Sequence, residues 1–151
     1  MRRIAEALIV IAAILASAGI ASAQDTELRE VSSPFQEEFD FKIGQTLDLN
    51  LRIDGIKWTV LRASAGDDEG WTAGKKTKTT FTSELENLTD TALALSAIIL
   101  LEDERGRQLE RIKLKKIKVG PGRYNEDTQK IKVDGGNLAE TAKIYIFAEV
   151  E

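Results

Sequence analysis

Residues 46–54, TLDLNLRID, alternate apolar and polar side chains without a break. Leu47, Leu49, Leu51 and Ile53 fall on one side, and Asp48, Asn50 and Arg52 on the other. Helical faces recur every ~3.6 residues, so a strict period of two specifies a half-buried strand instead. The rest of the chain repeats this signal. Gly55 interrupts it, and IKWTVL restarts it with Ile56, Trp58 and Val60 on one side. The glycine- and acid-rich SAGDDEGWTAGKK reads as a loop. TKTTFTSELENL then alternates through Thr79, Phe81, Ser83 and Leu85, and NLTDT is a turn. ALALSAIILLED is apolar on both faces over 92–101, and its tight flanking turns favour a central strand over a buried helix. DERGRQ is a hairpin connection with Gly106 at positive φ. Ile131 and Val133 mark another strand, and NLAET is one helical turn or a loop. AKIYIFAEV closes the chain as a strand covered on both sides.

About seven strands at short spacing with polar turns predict an all-β fold over residues 46–151. The expected architecture is a two-sheet antiparallel sandwich of immunoglobulin-like, fibronectin-III-like type, with a small barrel as the alternative. Residues 24–45 differ. They hold six acids against Arg29 and Lys42, and three of the five phenylalanines of the chain. They read as an acidic arm whose second half lays Phe35, Phe39 and Phe41 on an apolar sheet face.

The N-terminus has its own pattern. Arg2 and Arg3 precede an apolar run over 7–20, and Ala21 and Ala23 frame a small-residue cleavage site before Gln24. That order is a secretory signal peptide over 1–23, cleaved after Ala23. The run is short for a retained span, which takes roughly 20 apolar residues. No membrane span is expected after cleavage. Without Arg2, Arg3 and Glu6, the 21 basic and 25 acidic residues become 19 and 24. A net acidic protein is a poor nucleic-acid binder, so none is expected as a partner. The leader and the cysteine-free chain point to a bacterial periplasmic or secreted protein.

From Phe81 to Val150 the chain resembles the FxLYD-type domains of secreted bacterial proteins. The likeness rests on ENLTDTALALSAIILLEDERGRQLER followed by VGPGRYNEDTQKIKV. In the signature segment ILLED, Leu101 and Asp103 match, while Ile99 and Glu102 stand where that family has phenylalanine and tyrosine. The resemblance implies an immunoglobulin-like sandwich without common catalytic residues, and a non-enzymatic role.

Histidine and cysteine are both absent. Ser-His-Asp and Cys-His nucleophile activation are therefore excluded, as are the usual zinc sites. No phosphate-cradling glycine motif or nucleophile elbow occurs. Paired carboxylates remain for glycoside hydrolysis, but so many acids pair by chance on any surface. The reading is non-catalytic, with no cofactor and no metal. Asp67, Asp68 and Glu69 are adjacent in sequence and fit a solvated loop better than a calcium cage. Trp58 shares parity with Ile56 and belongs to the core. Trp71, in the loop, is either a lid over one end of the sandwich or a platform for stacking a sugar. Asn87-Leu88-Thr89 matches a glycosylation sequon and reads as a turn.

One charge cluster stands out. Residues 105–123 carry eight basic side chains and the single acid Glu110. Arg111, Lys113, Lys115, Lys116, Lys118 and Arg123 are the candidate patch for an anionic partner. Ile112 and Leu114 face away from Arg111 and Lys113, but Ile117 and Val119 are out of phase with them. One extra residue, a β-bulge at Lys115–Lys116, would restore the phase. Three readings of the lysines remain open: the wet face of an edge strand, a partner for the acidic arm in the same or a neighbouring chain, and a site for an anionic glycan. The functional expectation is an exported protein that contacts another envelope protein or a second copy of itself. The alternative is a module that binds carbohydrate or an anionic polymer.

Overall fold

The computed structural model describes residues 27–151, so the leader expected over 1–23 lies outside the described residues. The strands in chain order are β1 (Arg29–Val31), β2 (Phe35–Asp40), β3 (Thr46–Ile53), β4 (Ile56–Ser64), β5 (Lys76–Asn87), β6 (Leu93–Glu102), β7 (Gln108–Lys113), β8 (Ile117–Val119), β9 (Tyr124–Asp134) and β10 (Lys143–Val150). Among the described residues the one α-helix, α1 (Gly135–Glu140), precedes β10. They form two five-stranded sheets packed as a sandwich. The first runs β1-β3-β4-β5-β9; the second runs β2-β10-β6-β7, with β8 continuing along β6 beyond β7.

Alternation explains which side chains fill the space between the sheets. Thr79, Phe81, Ser83 and Leu85 of β5 are buried, as are Leu95, Ala97, Ile99 and Leu101 of β6 and Ile144, Ile146 and Ala148 of β10. Trp58 is fully buried, and its indole N–H donates to the Val60 carbonyl at 3.1 Å. Burying a large apolar side chain contributes roughly 1.5–3 kcal/mol, so this double row is the main stabilising element.

The structure corrects the sequence reading at several points. Residues 46–151 form eight strands, β3 to β10, where about seven were expected, and two more precede them. The first sheet is mixed, because β1 runs parallel to β3. The segment read as an arm supplies β1 to one sheet and β2 to the other; β2 pairs antiparallel with β10 and buries Phe35. Phe41, just past β2, is buried as well. In the constant-type immunoglobulin order the sheets run A-B-E-D and C-F-G, so no three strands consecutive in the chain lie side by side. Here β3, β4 and β5 are consecutive neighbours in one sheet. Val60 is not inward. The register of β4 against β5 slips by one residue between Trp58 and Val60, so Leu61 and Ala63 take the buried positions. A matching slip lies beside it in β3, between Asp48 and Leu51, where Asn50 has φ 44°. Paired bulges of this kind sharpen the local twist of a sheet.

Two turns carry a glycine requirement. Asp54 and Gly55, with φ 41° and 95°, close the β3–β4 hairpin, and a Cβ at Gly55 would collide with Thr89 Cγ2. Gly106 has φ 77° in the β6–β7 hairpin, as its position in DERGRQ requires. Asp103 organises that hairpin by accepting from the backbone N–H groups of Arg105 and Arg107.

Candidate functional site

The outer face of the second sheet is built from the side chains that alternate with its core residues. Backbone pairing aligns them in rows across four strands. One row runs Glu38, Tyr145, Leu100, Arg111. The next runs Gln36, Phe147, Ile98, Lys113. Each row therefore begins polar or acidic on β2, is apolar on β10 and β6, and ends basic on β7. Ile98, Leu100, Tyr145 and Phe147 are half-buried on this face. Ile98 and Phe147 border a groove of about 580 Å³ with Lys113, Lys116, Glu149 and Glu151 on its rim.

The acidic margin is internally bonded. Lys143 Nζ donates to Glu38 Oε1 at 2.9 Å, and the Tyr145 hydroxyl donates to Gln36 at 2.6 Å. Glu102, opposite Lys143 on β6, is buried, and its Oε2 has no hydrogen-bond donor. Burial, and then the neighbouring Glu38 carboxylate, push the Glu102 pKa up. Its Lys143 partner holds the Glu38 pKa down. A proton on Glu102 would relieve both effects.

The basic margin begins on β7. Arg111 and Lys113 lie on the outer face and are exposed. Lys118, on β8 opposite Ala94, continues the margin, and Arg123 sits in the turn before β9. Lys116 bonds to Glu151 at 2.6 Å. Among the described residues, Arg111, Lys113, Lys115, Lys118 and Arg123 form no salt bridge. The expected extra residue is present. Leu114 N–H donates to Ala97 O at 3.0 Å and Ile117 pairs with Leu95, which leaves Lys115 and Lys116 opposite Ser96 alone. The Gln129 side chain on β9 holds this bulge: its Oε1 accepts from Lys115 N–H at 2.7 Å, and its Nε2 donates to Lys115 O at 3.0 Å. One amide side chain thus bridges the two sheets along their open side.

The acidic arm does not meet the basic patch within the chain. Strands β2 and β7 are opposite edges of the second sheet, and three of the four acids of β1 and β2 bond elsewhere: Glu30 to Arg52, Glu37 to Arg29 and Glu38 to Lys143.

Trp71 is half-buried against the core, and its indole N–H donates to Ala65 O at 3.1 Å. It lines an open depression of about 690 Å³ with Lys42, Ile43, Arg107 and Leu138. Asn87 of the sequon is fully buried; it donates to the carbonyls of Thr91 and Val119 and accepts from Thr89 N–H. It is a structural knot between the β5–β6 turn and β8. Among the described residues no group of three or more acids is placed to hold a metal ion, and no helix is long and apolar enough to cross a membrane. Sequence reading missed the Glu38–Glu102 pair and the Gln129 clamp, because both depend on cross-strand register rather than on any local motif.

No family model matches this sequence, and no curated protein matches it.

Proposed function

We propose that this is an exported, non-catalytic β-sandwich protein that acts by contact with another protein, as an interaction or structural component of the bacterial cell envelope. The observation that carries the reading is the apolar stripe of Ile98, Leu100, Tyr145 and Phe147 on the outer face of the second sheet. Two central strands apolar on both faces are costly to leave in water, and such patches mark contact surfaces. The lack of histidine and cysteine supports a role without catalysis. Periplasmic or secreted location follows from the leader pattern over 1–23. The sandwich shares the layered architecture of immunoglobulin-like and FxLYD-type domains, with a strand order of its own.

Carbene footprinting tests the reading. The stripe should label strongly in dilute purified protein and weakly in intact cells that export it. Equal labelling in both settings would count against a protein partner.

The unpaired cations of the basic margin favour a second reading, in which an anionic polymer docks there. Retention on heparin that falls with salt, and is lost in Lys113→Glu, would support it; elution unchanged by that substitution would remove it. Trp71 favours a lid over a sugar platform, since its side chain is packed against the core and only partly exposed.

A further inference from the structure

We infer that the partner of this face is a second copy of the chain, docked face to face about a two-fold axis parallel to the strands and lying between β10 and β6. The inference rests on the interaction reading above and names its partner. The ground for it is the order of chemistry within each row. Glu38, Tyr145, Leu100 and Arg111 lie at one level across the sheet, and Gln36, Phe147, Ile98 and Lys113 at the next.

A rotation about that axis exchanges the two margins and keeps the level along the strands. Arg111 then meets Glu38 of the partner subunit, and Lys113 meets Gln36 of the partner subunit. Tyr145 packs on Leu100 of the partner subunit, and Phe147 on Ile98 of the partner subunit. Each contact occurs twice, as an isologous interface requires. An in-plane axis perpendicular to the strands would set acidic margin on acidic margin and basic on basic, so charge selects between the two. The arrangement also gives the β2 acids and the β7 cations the meeting that the topology denies them within one chain.

Strands lie about 4.8 Å apart and rise about 3.3 Å per residue, so a four-stranded face some eight residues long offers on the order of 500 Å² per copy. The total is at the small end for a specific interface, so the dimer should be weak, with a dissociation constant in the micromolar range.

Sedimentation equilibrium from about 1 to 200 μM tests this. The protein is expressed from its own start codon in a bacterial host, and its intact mass is recorded. Wild-type protein should pass from monomer to dimer over that range. Glu38→Arg and Arg111→Glu should each weaken the dimer by roughly tenfold or more, through like charges placed opposite each other. A mixture of the two variants should regain wild-type affinity, because both charge contacts become attractive again. Ile98→Asp should remain monomeric; the mixing experiment carries the test if that variant fails to fold by circular dichroism. A wild-type monomer at all concentrations, or a mixture no tighter than either variant alone, overturns the inference. The interaction reading would survive a monomer whose stripe is still shielded in cells, and would fall with equal labelling there.

Discussion

At Glu102, burial and the nearby Glu38 carboxylate act in the same direction on one proton. The sign of the pH effect follows. The folded pKa is raised above the ordinary 4.5, so the stability contributed by the bound proton is complete below that value and is lost as pH rises through the folded pKa. Glu38 acts oppositely, since its pKa is lowered: its contribution is present above the ordinary value and is lost as pH falls through the folded one. Glu102→Gln supplies a permanent donor at the first position. It should raise stability at neutral pH by roughly 1 kcal/mol and have little effect near pH 4, as read from urea unfolding at the two pH values. Asn87 behaves differently, because all of its polar atoms are bonded inside. Asn87→Ala takes the Asn87 donor from the Val119 carbonyl and the acceptor from the Thr89 N–H, and should cost about 2–3 kcal/mol by the same measurement. Gly55→Ala adds a Cβ against Thr89 at a positive φ and should lower the thermal midpoint by several degrees, whereas Gly122→Ala, where the space is open, should lower it less.

At the scale of elements, the bulge at Lys115–Lys116 is the clearest case in which pattern specified structure. Four apolar residues must face inward, their spacing is one too long for a plain strand, and the pairing with β6 absorbs the excess at that place. Deleting Lys116 should therefore regularise the ladder and leave the sandwich folded, with stability within about 1 kcal/mol of wild type in a denaturant titration. Gln129→Ala should release the Lys115 amide, which would then exchange with solvent markedly faster while amides of β6 keep their rates. The parity of β5 and the two-faced apolar character of β6 and β10 were equally legible. The phase of β4 was not. Trp58, Val60 and Leu61 are all apolar, so the sequence admits two phases, and the strand passes from one to the other at the slip between Trp58 and Val60. β1 carries a single apolar residue, Val31, and its parallel pairing depends on Leu51, Arg52 and Ile53, far along the chain. β9 is longer than Ile131 and Val133 suggested, because polar positions such as Thr128 and Glu126 are held by pairing with β5 rather than by burial. The candidate site was legible only in part. The cations were visible as a run, but their separation from the β2 acids by two apolar strands is a product of sheet order.

At the scale of the molecule, the two sheets differ on their outer sides. The first is covered with threonines and charges, such as Thr80, Thr82, Lys130 and Lys132 of β5 and β9. The second carries the apolar stripe between two charged margins. That asymmetry is the observation on which the proposed contact role rests. Methyl relaxation by a soluble paramagnetic agent tests it most directly in dilute protein. Strong broadening is expected at Ile98 and Leu100 and little at Ile99 and Leu101, with the first two becoming shielded as concentration rises. Uniform protection of the methyl groups of all four residues in the dilute monomer would rule it out.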